Sequence, residues 1–146
     1  MDTAVNHIES DTSMATAIWV SVIIPCYNHE RFIQRTLDSI VADTYPHKEI
    51  IIVNDGSKDS SDERIQEWIA SYTPKETVTY ISRANKGICA TLNEMISLAK
   101  GKYILPLASD DCLYGNTIAK RVAILEERTD KSVLLNDAFV IDDTDI

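Results

Sequence analysis

Glycine is scarce in this chain, with 4 among 146 residues, and none falls in a G-x-G-x-x-G or G-x-x-x-x-G-K-[ST] spacing. That disfavours the glycine-rich phosphate turns of a dinucleotide-binding fold or a P-loop NTPase. Cysteine is scarce too. Cys26, Cys89 and Cys112 are an odd number without C-x-x-C spacing, which points to reduced cytoplasmic thiols rather than a disulfide frame or zinc site. His7, His29 and His47 show no ligand spacing either. No apolar run approaches the ~20 residues needed to span a bilayer. The start, MDTAVNHIESDTSMATA, lacks the basic head and apolar middle of a signal peptide, and reads as a polar, mobile leader over residues 1–17. Basic residues are outnumbered, 14 against 23 acidic, for a net charge of -9 with no basic cluster. Such a surface argues against binding nucleic acid through its phosphates. It leaves room for a nucleotide held by backbone amides and a divalent metal.

What is present is a two-period pattern over one domain, residues 18–146, at 45% hydrophobic and 25% charged. AIWVSVIIP is a buried strand ended by Pro25, and Ile33, Leu37, Ile40 and Val41 then mark a helix from about Glu30 to Ala42. EIIIV is a second buried strand, stopped by NDGSKDSSD, and Ile65, Trp68, Ile69 and Tyr72 mark a helix capped by Ser60 or Ser61. TVTYIS is a weaker third strand. The third helix carries Ile88, Leu92, Met95, Ile96 and Ala99 and ends at Gly101. KYILPLA is the fourth strand, with Pro106 loosening regular pairing, and Ile118, Val122 and Leu125 mark the fourth helix. SVLLNDAFVI reads as the start of a fifth strand. Alternation of this kind implies βαβ units and a mostly parallel sheet covered on both faces.

In such a sheet ligands bind beyond the carboxyl ends of the strands, where the strand order reverses. The residues following the four strands are Pro25-Cys26-Tyr27-Asn28, Asn54-Asp55-Gly56-Ser57, Arg83 to Gly87, and Ser109-Asp110-Asp111. Taken singly, each has an ordinary reading: Asp55-Gly56 as a turn, Tyr27 as a packing residue, Asn85 and Gly87 as a loop, the acidic pair as an exposed cap. Brought to one edge, they suit a ligand. Adjacent carboxylates suit a hard divalent cation, Mg2+ or Mn2+, shared with substrate phosphates. A strand-end carboxylate can accept a nucleobase N–H and an aromatic ring can stack on the base. Together they describe a nucleoside-diphosphate site. A phospho-acceptor signalling domain would place its acid pair after the first strand, where this chain has PCYN, and a non-catalytic interaction domain is the remaining alternative.

VSVIIPCYNHERFIQRTLDSIVADTYPHKEIIIVNDGSKDSS resembles the opening of the family 2 glycosyltransferases of the GT-A fold. NKGICATLNEMISLAKGKYILPLASDD resembles their next block, which ends in a D-x-D-type metal motif. The resemblance runs from about Val20 to the end of the chain and implies a Rossmann-like α/β/α sandwich whose C-terminal part is missing. It also implies roles. Pro25 and Tyr27 would lie against the nucleobase, Asp55 would accept from it, and Asn28, Asn85 and Gly87 would complete the nucleotide site. Asp110 would approach the ribose, and Asp111 would ligate the metal. The donor would be a nucleoside-diphosphate sugar, most simply UDP-linked, and transfer would invert the anomeric centre. The acceptor is an unknown sugar, lipid-linked group or protein. The chain departs from the family's usual residues at Asn54, Leu92 and Ala108, leaving Arg83 or Lys86 to approach the phosphates. A general base for the acceptor is expected beyond Ile146. A nucleotide-sugar-binding module without activity of its own is the alternative, with self-association through an exposed sheet edge. The implied location is cytoplasmic or peripheral at the inner face of the membrane.

Overall fold

The run VSVIIPC forms β1, Val20–Cys26, at an interior position of the sheet, and its alternating side chains serve two separate cores. Val22, Ile24 and Cys26 join one apolar cluster, and Ile23 joins the other with Ile51, Val53 and Met95. The computed structural model describes residues 17–72, 76–128, 130 and 133–141. The remaining elements are α1 (Ile33–Ala42), β2 (Lys48–Asn54), α2 (Ser61–Ser71), β3 (Thr77–Ser82), α3 (Ile88–Leu98), β4 (Tyr103–Pro106) and α4 (Ile118–Glu127). The strands pair in parallel in the order β3-β2-β1-β4. Ile33, Leu37 and Ile40 of α1, Ile65 and Trp68 of α2, and Ile118 and Val122 of α4 cover one face. Met95 and Leu92 of α3 pack on the other, making three layers. Each fully buried isoleucine contributes about 1.5–3 kcal/mol relative to exposure.

Buried polar groups tie the layers together. Lys48 is fully buried, and its Nζ donates to the carbonyls of Asp43 (2.6 Å) and Tyr45 (3.0 Å) while pairing with Glu76 at 3.0 Å. Asp43 ends α1 and caps α4, accepting from the amides of Thr117 (2.8 Å) and Ile118 (3.1 Å). A carboxylate there also suits the positive end of the helix dipole.

Several boundaries differ from the pattern reading. Helix α1 starts at Ile33 rather than Glu30, because the amides of Phe32 and Ile33 both turn back onto the His29 carbonyl. Helix α3 ends at Leu98, and Gly101 is no helix cap. Its position is one of close approach instead: a Cβ there would lie 2.6 Å from the Ser21 amide nitrogen and 2.8 Å from the Trp19 carbonyl oxygen. Pro106 closes β4 rather than interrupting it, and pairing ends at Ile23–Pro106. The fifth strand is absent among the described residues. Residues 133–141 carry no ladder, and Val133, Leu135, Phe139 and Val140 stand exposed. The outer edge of β4 is paired with no described strand, and a strand without a partner has no ladder to stabilise it. Ser132 and, Ala17 aside, the leader lie outside the described residues.

Candidate functional site

The chain steps from β1 to β2 to β3 in one direction and then returns to place β4 on the other side of β1. The strand order therefore reverses between β1 and β4, and a crevice opens beyond their carboxyl ends. Asn28 follows β1 with φ of 56°, a left-handed conformation that asparagine tolerates. This kink lets the loop after β1 meet the loop after β2. The Lys58 amide donates to Asn28 Oδ1 (2.7 Å), the Asn28 amide to Ser57 Oγ (2.9 Å), and the His29 amide to Ser61 Oγ (2.9 Å). Glu30 and Asp59 exchange bonds in the same way, Glu30 N–H to Asp59 (3.0 Å) and Ser60 N–H to Glu30 (2.7 Å). Neither Ser60 nor any other residue caps α2 through its own N-cap side chain; Asp59 accepts the Ser61 amide at 3.0 Å instead.

Asp55 lies at the end of β2 and is almost fully buried. Its Oδ1 accepts the Lys86 amide (2.9 Å) and pairs with Arg83, and its Oδ2 accepts the Gly87 amide (3.0 Å). Burial pushes the Asp55 carboxyl up, but the Lys86 amide, Arg83 and Thr91 outweigh it and hold it below the ordinary carboxylate range. Arg83 also binds Glu94 at 2.7 Å, Thr91 Oγ1 at 3.0 Å and the Ala84 carbonyl at 3.1 Å. Its guanidinium thus fixes the loop before α3.

The acidic loop after β4 rests on α1. Thr36 Oγ1 donates to the Ser109 carbonyl (2.9 Å), the Leu113 amide donates to Ser39 Oγ (3.0 Å), and the Asp111 amide closes a turn on Ala108 (3.1 Å). His29 Nδ1 is 2.7 Å from Ser109 Oγ and 3.8 Å from Asp110 Oδ1. Asp110 and Asp111 are both exposed.

A cavity of about 370 Å3 occupies the crevice. Pro25, Tyr27, Asp55, Asn85 and Gly87 line it. Asn28, Asp110 and Asp111 do not: Asn28 is turned to Lys58, and the two carboxylates stand beyond the lining residues. Cys26, His29, Ile88, Thr91, Ala108 and Ser109 complete the wall. His29 lacks any metal-ligand spacing and so gave no signal in the sequence, although it directly follows the PCYN group. Burial raises the Cys26 thiol pKa above its usual value despite the Ser109 and Ser61 hydroxyls, so this wall residue is a thiol rather than a nucleophilic thiolate near neutrality. Among the described residues no three His, Cys, Asp or Glu side chains gather as a metal site. The two adjacent carboxylates nevertheless fit a hard cation that draws its other ligands from a diphosphate and water.

The sequence decides the family. The glycosyl transferase family 2 model matches residues 21–145. The chain belongs to glycosyl transferase family 2. An uncharacterized glycosyltransferase of Rickettsia bellii is 38% identical over 125 residues, covering 85% of this chain and 17% of that protein. Among solved structures, Staphylococcus aureus TarS 1–349 in complex with UDP-GlcNAc superposes with a TM-score of 0.66 at 25% identity, covering 77% of this chain and 32% of the other. The mannosyltransferase PcManGT of Pyrobaculum calidifontis, in complex with GDP-Man and Mn2+, gives 0.70 at 24% identity, covering 76% of this chain and 33% of the other. This family 2 chain therefore has the GT-A fold, and it spans a third or less of the length of these three proteins.

Proposed function

We propose that this chain is the donor-binding part of a metal-dependent glycosyltransferase acting on a nucleoside-diphosphate sugar, most simply a UDP-sugar, with inversion. The observation that carries the reading is the cavity at the strand-order reversal, walled by Pro25, Tyr27, Asp55, Asn85, Gly87 and Ser109, with the exposed Asp110 and Asp111 directly following Ser109 in the chain. Tyr27, 44% exposed, offers a ring face to a base, and Pro25 lies beside it. Asp55 Oδ1 already accepts two donors while Oδ2 accepts one, so Oδ2 keeps the capacity for a nucleobase N–H. Asn28 orders the wall from behind through Lys58. Asp110 approaches the ribose, and Asp111 holds Mn2+ or Mg2+. When bound, the cation offsets charge on the departing diphosphate. That TarS and PcManGT are solved with UDP-GlcNAc and with GDP-Man and Mn2+ supports this reading.

A second reading is that this chain alone holds the donor without transferring the sugar. It is favoured by the cavity wall, where Asp55 is the sole carboxylate among the described residues and is already engaged. No described helix is long and apolar enough to cross a membrane. The proposed location is cytoplasmic, at or near the inner membrane face.

The test is a thermal-shift series with UDP and GDP, each with and without Mn2+. Saturation at 100 times the dissociation constant adds about 2.7 kcal/mol of stability. A shift that requires Mn2+ and disappears in Asp111→Asn supports the assignment. No response to either nucleotide refutes donor binding by this chain.

A further inference from the structure

We propose that His29 is a positioning residue for the Ser109-Asp110-Asp111 loop, setting how the carboxylate pair meets the donor; this rests on the donor-site reading above. Helix α1 and the turn before it grip that loop at three points. Two of them, Thr36 to the Ser109 carbonyl (2.9 Å) and Ser39 to the Leu113 amide (3.0 Å), fix only the main chain of the loop. His29 is the third, and it reaches side chains: Ser109 Oγ at 2.7 Å and Asp110 Oδ1 at 3.8 Å.

The imidazole is itself held in place. The His29 amide donates to Ser61 Oγ (2.9 Å), its carbonyl accepts the Phe32 and Ile33 amides (3.0 Å each), and its ring meets Phe32 edge-on at 6.1 Å. One ring nitrogen therefore links the end of β1 to the end of β4 across the point where the strand order reverses. His29 also lines the cavity, one-third exposed, with its Nδ1 already turned to the loop. Asp110 and Asp111 are otherwise solvent-facing, and a solvated carboxylate samples several rotamers unless something restrains it. His29 supplies a restraint at Ser109, the residue that precedes the pair, ahead of ligand binding.

Groups that stand behind metal ligands change metal affinity about 10–100-fold when removed. The geometry makes a sharper claim, because only Nδ1 touches the loop. Asparagine places its amide near the position of Nδ1, whereas glutamine reaches toward that of Nε2. The experiment is calorimetric titration of the chain with UDP and with GDP, with and without Mn2+, for wild type, His29→Ala, His29→Asn and His29→Gln. The expected result is Mn2+-dependent nucleotide affinity reduced about tenfold in His29→Ala and His29→Gln and restored in His29→Asn, with metal-free nucleotide affinity falling by a clearly smaller factor in the first two. The proposal is overturned if His29→Ala binds like wild type, if asparagine rescues no better than glutamine, or if affinity falls equally with and without Mn2+. Wild-type chain that binds neither nucleotide overturns the donor reading, and this role with it. Wild-type binding together with unaffected His29 variants overturns the positioning role alone.

Discussion

The carboxylate of Asp55 accepts the amide of Gly87 at 3.0 Å across 32 intervening steps of chain. With the Lys86 amide and Arg83 on its other oxygen, Asp55 binds the end of β2 to the start of α3. The loop that forms one wall of the cavity is therefore fixed by the same side chain that is proposed to read the base. A recognition group held before its ligand arrives avoids the ordering cost of binding, which is a direct gain in affinity.

Asp55→Asn tests that double duty. The substitution keeps the shape but removes the charge and one acceptor, leaving Arg83, whose side chain is 13% exposed, with only Glu94 as a charged partner. Breaking a buried pair in this way costs about 3 kcal/mol. Urea denaturation should show that loss, and the nucleotide-induced thermal shift should vanish. A variant as stable as wild type would mean that Asp55 does not anchor the loop.

Gly56→Ala should damage the same wall by steric means. Gly56 has φ of +73°, and a Cβ there would stand 2.6 Å from the Asn85 backbone nitrogen, with Arg83 and Ala84 backbone atoms at 3.2 Å. Backbone cannot swing aside as a flexible side chain can, so the loop before α3 must shift. The expected cost is about 2 kcal/mol or more, with nucleotide binding lost. Gly115→Ala is the control. It shares a positive φ, +61°, but has open space around it, so it should lose about 1 kcal/mol from strain alone and keep nucleotide binding. Equal effects of the two substitutions would show that close approach at Asn85 is unimportant.

The sheet was legible because Val22, Ile23, Ile24 and Ile50 to Val53 form apolar runs that only a strand covered on both faces can bury. The edge on which the polar groups meet followed from the alternation of strands and helices. Individual roles were less legible, since they depend on contacts between residues far apart in the chain. Nothing near Asn28 in sequence reveals that its side chain serves Lys58, or that Arg83 is engaged by Asp55, Glu94 and Thr91. The fifth strand was misread for a related reason. Residues 133–141 have the apolar content of a strand, but strand identity needs a neighbouring ladder, which periodicity does not supply.

Acid should unfold this protein through a defined set of carboxylates. The Asp62 carboxyl is held low chiefly by the Tyr80 hydroxyl, against the opposing effect of burial. At Asp59, burial is outweighed by the Ser61 hydroxyl and the Glu30 and Ser61 amides; at Glu76, it is outweighed by Tyr72 and Lys48. With Asp55, and with surface Glu126 held low chiefly by Lys102, five groups thus have folded pKa values below their ordinary values of 3.8 for Asp and 4.5 for Glu. In each case the unfolded chain binds protons more readily, so the stabilisation is complete above the ordinary carboxyl range, begins to be lost as pH enters that range, and is gone only once pH has fallen through the lowered folded values. The urea midpoint should change little as these groups stay ionised between about pH 8 and 6, begin to drop near pH 5, and fall steeply below about pH 4. Tyr80→Phe isolates one member of the set. It removes the main support of Asp62, brings that carboxyl back toward its ordinary value, and so should make the acid limb shallower as well as lowering the midpoint at neutral pH. An unchanged acid slope in Tyr80→Phe would assign the transition to other groups.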